Sequence, residues 1–476
     1  MPATDVEKAV LLQRFIPLLK DSKYVVQTQL GVRAASSYSI SSVIFLLTAE
    51  YTATPENLAI KEHTMATCPF QNLLDPDLYM DGNHHQVFAD VREKSNGLAF
   101  IEDPLTGVPY WAVTRREIAD YVCKNPLLFS SAAKTILPKE MPEEEIALSR
   151  LMLVNMDPPE HVKYRRIVRN AFTPKAVEGY EERFREVAKE TIEGVVTKQH
   201  CEFVTEVAAE LPLIAIMSLC GIPMSDKKKF FDWTNTMIFT EDEDMSGGEG
   251  VAASQAAAIE VYAYAEELAK RHESEPLTDI VGALLDGKVN DEKLTPEEFQ
   301  LFFLMLIAAG NESTRSVIAH GMRLLIEHPK QLQKLVDAPE LIPFAVEEML
   351  RFNPAFVQMR RTVMEDTEID GRQLKSGDKM VVNWQAINHD PEIFENPEEF
   401  DVERFRKRPE LTSQHRAFGN GEHFCIGAHM SRLEMKVMFE ELIPRLRNPT
   451  FAEPVSFVRD FFVNGIKTMP INFEGR

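Results

Sequence analysis

The chain has 476 residues, enough for one large globular domain or two smaller ones. Its formal net charge of −22 argues against a general nucleic-acid binder and against attachment to an anionic membrane surface. The five cysteines show neither zinc-type spacing nor a disulfide framework, which favours a reducing, cytoplasmic compartment. Hydrophobic and charged residues make up 44% and 26%, proportions typical of a globular enzyme.

The first 68 residues are expected to be an N-terminal extension of a single domain that spans residues 69–476. The apolar run at 43–47 is too short to cross a bilayer, and acidic residues stand where a secretory signal carries lysines. We therefore expect no transmembrane anchor. Helical patterns dominate residues 175–445, while strand-like segments occur at residues 111–114 and between residues 362 and 383. The fold is predicted to be mainly α with a small β-rich lobe.

The clearest predicted helix begins at Pro296 and ends near His328. Thr295 and Glu298 have the spacing of a capping box, and Pro329 stops the helix. Residues 301–309 are apolar on all faces, which predicts a long, buried, central helix.

The apolar run of this helix stops at an unusual group of residues, Ala309-Gly310-Asn311-Glu312-Ser313-Thr314. Small residues followed by an acid and two hydroxyls are unusual in a buried helix and indicate a functional role. The residues alone support an alternative equally well. In this alternative the helix turns towards solvent here, and Glu312 pairs with Arg315 or Arg323.

Cys425 lies in the glycine-rich stretch 418–427, with His423 two residues before it. Glycines let the backbone approach a flat macrocycle, and the helical pattern that follows places Cys425 at a helix N-terminus. That position favours an anionic sulfur, so the stretch is suited to presenting a thiolate to a haem iron. The alternative is a buried structural cysteine in a turn.

The stretch 418–427 resembles the haem-binding loop of cytochrome P-450 monooxygenases, Phe-Gly-x-Gly-x-(His or Arg)-x-Cys-x-Gly, at every fixed position. The resemblance runs from about residue 70 to the C-terminus. It implies the cytochrome P-450 fold, a heme b cofactor and Cys425 as the metal ligand. It also implies cofactor contacts from Phe418, Gly419, His423 and Gly427.

In that family the central helix carries (Ala or Gly)-Gly-x-(Asp or Glu)-Thr, which forms the groove where O2 binds. The resemblance places Ala309 and Gly310 against the cofactor and makes Glu312 and Ser313 the acid and alcohol that relay protons. Serine here departs from the family's threonine and lacks the methyl group that fixes the rotamer. Thr314 is a candidate substitute.

Two further sets of charged residues match family positions. Four basic side chains are expected to bind the haem propionates: His161, Arg165, Arg361 and His423. Three residues are expected to hold the cysteine loop without taking part in catalysis: Glu348, Arg351 and Arg404. Taken singly, each would more often be a solvated surface charge.

The resemblance implies a monooxygenase that hydroxylates a largely apolar molecule such as a terpenoid, a steroid side chain or a fatty or alkyl chain. Electrons come from NAD(P)H through a separate ferredoxin and ferredoxin reductase. The candidate substrate-pocket residues are Phe356, Val357, Phe461, Phe462 and Val463, for which an ordinary core role is an equal alternative.

A local basic cluster is hypothesised to steer the acidic electron donor; its members are Lys163, Arg166, Arg169, Arg404, Arg406, Lys407, Arg408 and Arg416. Two other functions stay open: a peroxide-using haem-thiolate enzyme, and a haem-binding sensor or carrier without turnover.

Overall fold

The computed structural model describes residues 70–82, 84–238, 242 and 250–475. The expected N-terminal extension lies outside these residues, so the domain boundary at residue 69 stays a prediction. Within the described residues the chain is mainly helical with small sheets, which confirms the predicted fold class. None of the described helices is both long and apolar enough to cross a membrane.

The helices, in chain order, are α1 (His85–Ser95), α2 (Arg116–Lys124), α3 (Glu143–Ser149), α4 (Glu160–Val168), α5 (Pro174–Glu178), α6 (Glu181–Val196), α7 (Glu210–Leu219), α8 (Lys227–Ile238), α9 (Gly250–Ser274), α10 (Ile280–Asp286), α11 (Pro296–Glu327), α12 (Pro329–Asp337), α13 (Ile342–Phe352), α14 (Trp384–Asn388), α15 (Arg404–Lys407) and α16 (Ala428–Leu442). The strands are β1 (Leu98–Ile101), β2 (Tyr110–Val113), β3 (Phe129–Ser130), β4 (His200–Glu202), β5 (Lys288–Val289), β6 (Glu292–Lys293), β7 (Gln358–Val363), β8 (Thr367–Ile369), β9 (Arg372–Leu374), β10 (Lys379–Asn383), β11 (Leu446–Phe451), β12 (Ser456–Phe457), β13 (Ile466–Thr468) and β14 (Pro470–Gly475).

The β-rich lobe is built on a five-stranded sheet in the order β1-β2-β10-β7-β3. Strand β10 pairs parallel with β2 and antiparallel with β7, with Met380 opposite Arg361. Because successive side chains of a strand point to opposite faces, Arg360 and Arg361 project to different sides of this sheet. The Arg361 side chain therefore lies on one face of the five-stranded sheet, and the Arg360 side chain lies on the other.

Helix α11 forms the centre of the helical part. The predicted capping box is present: the Thr295 hydroxyl accepts from the Glu298 N–H at 3.2 Å, and the Glu298 carboxylate accepts from the Thr295 N–H at 2.7 Å. Residues 301–307 are all buried, and the helix packs against α7, α8 and α9 and against α13 and α16. At Gly321 a Cβ atom would lie 2.7 Å from the Phe439 ring, so α11 and α16 cross closely.

Candidate haem-binding site

Cys425 lies in the loop between α15 and α16, and its backbone N–H donates to the Phe418 carbonyl at 2.9 Å. Helix α16 begins at Ala428 with Gly427 as its N-cap, so the cysteine stands just before a helix N-terminus, as predicted. Its side chain is exposed, whereas the other described cysteines are buried. The structure therefore does not support a buried structural cysteine.

The surroundings of the Cys425 thiol raise its pKa, because desolvation by the enclosing protein outweighs the opposing effects. A hydrogen bond from the Gly427 backbone and the positive charges of Arg165 and Arg432 act in the other direction. The Gly427 contribution has the direction expected of a helix terminus, but desolvation outweighs it, so the net shift of the Cys425 pKa is upward. A coordinated metal ion is what deprotonates such a thiol.

The glycines of this loop serve its conformation. Gly419 and Gly421 both have φ of +70°, a region that side chains other than glycine rarely occupy. At Gly421 a Cβ atom would also lie 2.2 Å from the Cys123 carbonyl oxygen, so the loop rests directly on the end of α2.

Replacing Gly421 with alanine is expected to loosen this contact and lower haem retention, since both the positive φ and the backbone clash oppose the side chain. Gly371 is a matched control because its φ is +76° and nothing lies within 4 Å of its Cβ position. We expect G371A to lose only about 1–2 kcal/mol of unfolding free energy from the left-handed conformation, and G421A to lose more. Chemical denaturation and the haem-to-protein absorbance ratio measure both; equal losses would contradict the clash.

The sequence analysis missed two residues that hold the cysteine loop from outside it, Asp120 and Asn388. The Arg416 guanidinium donates to both oxygens of Asp120 on α2, at 2.7 and 2.8 Å, and the Asn420 amide donates to the same carboxylate at 2.7 Å. The Arg416 backbone N–H donates to the Asn388 side chain at 2.6 Å. Sequence distance hides these contacts, since nothing in the local pattern around Asp120 marks it.

A second missed group lies behind the loop. The Arg432 guanidinium sits over the Phe418 ring at 4.5 Å and donates to Glu347 at 2.6 and 3.0 Å. His415 contacts the same carboxylate at 2.9 Å, and these partners lower the pKa of Glu347 to about 2 against the effect of its burial. The arrangement holds the Phe418 ring in place.

The contacts expected among Glu348, Arg351 and Arg404 are present. Arg351 donates to the two Glu348 oxygens at 2.8 and 2.9 Å, and Arg404 Nε lies 3.1 Å from both. Glu348 and Arg351 are fully buried. The remaining guanidinium N–H groups donate to backbone carbonyls, those of Asn388, Pro397, Glu395, Asn396 and Glu399. The Asn388 contact leads on to Arg416, so the triad connects to the cysteine loop.

The four predicted propionate ligands are gathered beside the loop. The His161 and His423 rings lie 4.2 Å apart. Burial and the charges of Arg361 and Arg165 lower the pKa of His423 to about 2 and that of His161 to about 4. Arg165 also donates to the Phe424 carbonyl at 2.5 Å. All the charged groups that shift these two histidines are cationic, and the buried Nδ1 of His161 has no hydrogen-bond partner among the described residues.

The middle of α11 opens from its buried surroundings at Ala309, which is exposed. The Ser313 hydroxyl donates to the Ala309 carbonyl at 2.7 Å, as a serine one turn along can do. Thr314 faces the other way, and its hydroxyl donates to Ser431 on α16 at 3.2 Å. At Gly310 a Cβ atom would lie 3.0 Å from Ile216, so α7 packs closely here.

Glu312 is buried and forms an ion pair with Arg315, one of the two partners considered from the sequence. Burial raises the pKa of this carboxyl, although the Arg315 charge opposes the shift. Arg315 also donates to the Asn235 side chain on α8 at 2.7 Å. The acid is thus linked to α8, and helix α11 does not turn outward to solvent at this position.

The two candidate pocket segments pair with each other. Phe356 and Val463 form an isolated β-bridge, and the Val357 N–H donates to the Phe462 carbonyl at 2.9 Å. The half-buried rings of Phe356 and Phe462 lie 5.1 Å apart. Val357 is fully buried in the cluster under the β-rich lobe, and Phe461 packs against that cluster. Phe356, Phe461 and Phe462 are half-buried, whereas Val357 and Val463 are buried; their role as pocket walls stays a prediction.

The residues of this site fit an iron porphyrin. Arg361 and Arg165 bring two positive charges beside the two histidines, and Asp157 and Glu422 are the acids that act on these arginines. A bound propionate would gain the guanidinium groups as charged donors and the unpartnered Nδ1 of His161 as a further polar contact. An accessible cysteine lies next to them in a loop with tight glycine turns, and an exposed small residue, Ala309, breaks the buried surface of the central helix. These are the features expected of a haem-binding protein in which a cysteine would hold the iron.

Comparisons with known proteins agree. The family model of cytochrome P450 matches residues 339–452. Steroid C26-monooxygenase of Rhodococcus jostii is 33% identical over 408 residues, 84% of either chain. The methyl-branched lipid omega-hydroxylase of Mycobacterium tuberculosis is 32% identical over 375 residues, covering 78% of this chain and 85% of that one.

Among solved structures, Mycobacterium marinum cytochrome P450 CYP268A2 in complex with pseudoionone has a TM-score of 0.77 and 28% identity, covering 86% of this chain and all of that one. CYP109E1 from Bacillus megaterium in complex with corticosterone has a TM-score of 0.70 and 27% identity, covering 82% and 98%. The chain belongs to the cytochrome P450 family. It is a haem-iron monooxygenase.

Proposed function

We propose that this enzyme hydroxylates the end of an apolar chain, such as a steroid side chain, a methyl-branched lipid or a terpenoid. The observation that carries the proposal is the opening at Ala309 in an otherwise buried helix, with the Ser313 hydroxyl one turn away. The relatives named for steroid C26 and lipid omega oxidation support the position of attack. The aromatic pair Phe356–Phe462 supports an apolar substrate.

The cofactor is proposed to be heme b, held by Cys425, by the guanidinium groups of Arg165 and Arg361 and by the imidazoles of His161 and His423. When bound, its iron supplies the activation of O2 that a protein side chain cannot provide. The triad of Glu348, Arg351 and Arg404 is proposed to be structural, because it ties the loop through Asn388 and Arg416 and has no exposed acid or base.

A turnover assay tests the proposal. Purified enzyme with a ferredoxin, its reductase, NAD(P)H and O2 is offered cholest-4-en-3-one, a methyl-branched fatty acid and pseudoionone, and products are analysed by mass spectrometry. We expect a terminal alcohol from at least one of them. Product with hydrogen peroxide alone would favour the peroxide-using alternative. Substrate-induced spectral shifts without product under either condition would favour a sensor or carrier.

Ser313 is proposed to be the alcohol that delivers protons in the O2 groove. S313A is expected to lower product formed per NAD(P)H roughly tenfold, since about 1.4 kcal/mol is the order of one lost hydrogen bond. S313T should keep the hydroxyl and add the methyl that fixes its rotamer, so its coupling should equal or exceed that of the wild type. Loss of coupling in T314V rather than in S313A would assign the role to Thr314. Product and hydrogen peroxide yields measure both.

The electron donor is proposed to be a separate, acidic ferredoxin. Of the basic cluster, Arg404 and Arg416 are buried in ion pairs and therefore serve the fold. Lys407 pairs with Asp401 on the surface. The exposed members Arg166, Arg169 and Arg406 support docking. The unpaired state of the four described cysteines supports a cytoplasmic location.

A further inference from the structure

A cluster of metal-ligating side chains lies away from the haem-binding site. His85 begins α1, His389 follows α14, and Glu398 precedes α15. One ligand atom from each, a ring nitrogen of either histidine and a carboxylate oxygen, lie within 4.8 Å of one another. Three separate chain segments therefore converge on one point.

The hydrogen bonds of His389 fix which ring nitrogen faces this point. Its Nε2 lies 2.9 Å from the Phe352 carbonyl oxygen, which can only accept, so Nε2 carries the hydrogen. In the neutral ring Nδ1 is then a lone pair, and it lies 3.1 Å from the Glu398 carboxylate. Two acceptors at this separation require a cation between them or a proton on Nδ1.

His85 distinguishes a metal ion from a proton. Its ring lies 4.4 Å from that of His389, and its buried Nδ1 has no hydrogen-bond partner among the described residues. A proton on His389 satisfies Glu398 and leaves His85 as it is. A metal ion would take a lone pair from both rings and give the unpartnered Nδ1 of His389 and the His85 ring a common partner.

The geometry matches what such sites require. Histidines that bind metals usually donate their other N–H to a backbone carbonyl or carboxylate, which sets the ring orientation, and His389 does so with Phe352. Ligand bonds of about 2.05 Å in tetrahedral zinc sites place neighbouring ligand atoms about 3.3 Å apart, close to the His389–Glu398 separation. The ligand atom of His85 lies within 4.8 Å of both.

The positive side chains near Glu398 have other partners, so their charges do not prevent a cation from binding there. Arg351 and Arg92 are the positive groups that act on Glu398. Arg351 is committed to Glu348 by a bidentate pair, and Arg92 donates to the Ala386 carbonyl at 2.8 Å. The Glu398 side chain is 55% exposed, so an ion has a path from solvent and a position for water as a further ligand.

We propose that His85, His389 and Glu398 bind a divalent transition-metal ion of the zinc type. The bound ion joins α1 to the two segments whose carbonyls Arg351 holds, at Asn388 and Pro397. Because a ligand that binds only the folded state stabilises it, the ion strengthens the fold beside the triad.

The test uses the haem-loaded enzyme, so that Cys425 does not compete as a free thiol. Protein cleared with a chelator is dialysed against Zn²⁺ at neutral pH, and bound metal is counted by mass spectrometry. We expect one zinc per chain, and at least roughly tenfold weaker binding in E398Q and H85Q, as for loss of a ligand contact. Zinc should raise the Tm of the wild type and leave the Tm of both variants unchanged.

Asp286 supplies the matched control. It forms a similar surface pair with His272, at 3.3 Å from Nε2, outside the three-ligand cluster. D286N should bind zinc as the wild type does. Wild-type affinity in E398Q and H85Q, or no stoichiometric zinc on the wild type, would overturn the proposal and assign the position to a protonated His389. Because Glu398 is exposed, E398Q tests the site without disturbing the core.

Discussion

Replacing Cys425 with alanine is expected to abolish NAD(P)H-supported oxygenation and the red-shifted Soret band of the reduced carbon monoxide complex. The side chain is the exposed cysteine of the described residues, and it lies beside Arg165 of the proposed propionate cluster. Removing it would delete the proposed thiolate ligand and leave His161, Arg165, Arg361 and His423 in place for the porphyrin. Product analysis and the carbon monoxide difference spectrum measure the change.

Cys201 provides the control for this substitution. It is buried on β4, pairs in the sheet with Ile471 of β14, and is absent from the cysteine loop. C201A should retain the shifted Soret band and turnover, with a stability loss expected from a small core truncation. An oxygenating C425A enzyme with the thiolate-type band would overturn the assignment of the metal ligand and the function built on it.

The sequence predicted those parts of the fold and site that depend on local chemistry. The capping box at Thr295 and Glu298, the buried run of α11 and the tight turns before α16 follow from residues close in the chain. The propionate cluster was predicted through the resemblance. The geometry then brought its members together, because α4, β7 and the loop pack side by side.

What the sequence could not provide were the contacts between distant segments. Asp120 receives Arg416 and Asn420 from the far end of the chain, and no periodicity in α2 marks that residue. The same holds for His85, whose neighbour His389 is brought near only by the packing of α1 against α14. The net rise in the Cys425 pKa was not predicted, because the helix-terminus argument gives the direction of one contribution and omits desolvation.

The functional residues of helix α11 were predicted from the sequence in part, and the rest depends on contacts between distant segments. The sequence placed Glu312, Ser313 and Thr314 together but left open whether this turn faces solvent or a groove. Successive helical residues are about 100° apart, so Ser313 and Thr314 cannot share a direction. Only the packing of α8 and α16 decides which hydroxyl faces Ala309 and which faces Ser431.

Replacing Arg351 with alanine is expected to destabilise the protein by about 3–5 kcal/mol, the effect of removing one partner from a buried ion pair. Glu348 would keep the Arg404 contact and the Asp401 N–H, and the carbonyls of Asn388 and Pro397 would lose the Arg351 donor. Since Asn388 also receives the Arg416 backbone N–H, haem retention should fall together with stability. Denaturant unfolding and the haem-to-protein absorbance ratio measure the two effects.

Arg183 and Glu186 form the matched pair, because they have the same i, i+3 spacing at a side-chain exposure of 45% and 56%. R183A should change stability by less than about 1 kcal/mol, since solvent screens an exposed pair. R351K should rescue little, because a lysine cannot reproduce the bidentate contact and the two carbonyl bonds together. If R351A and R183A lost similar amounts of unfolding free energy, burial would not be what makes the contacts of the triad strong. If R351A were as stable as the wild type and kept its haem, Arg351 would have no role in holding the cysteine loop.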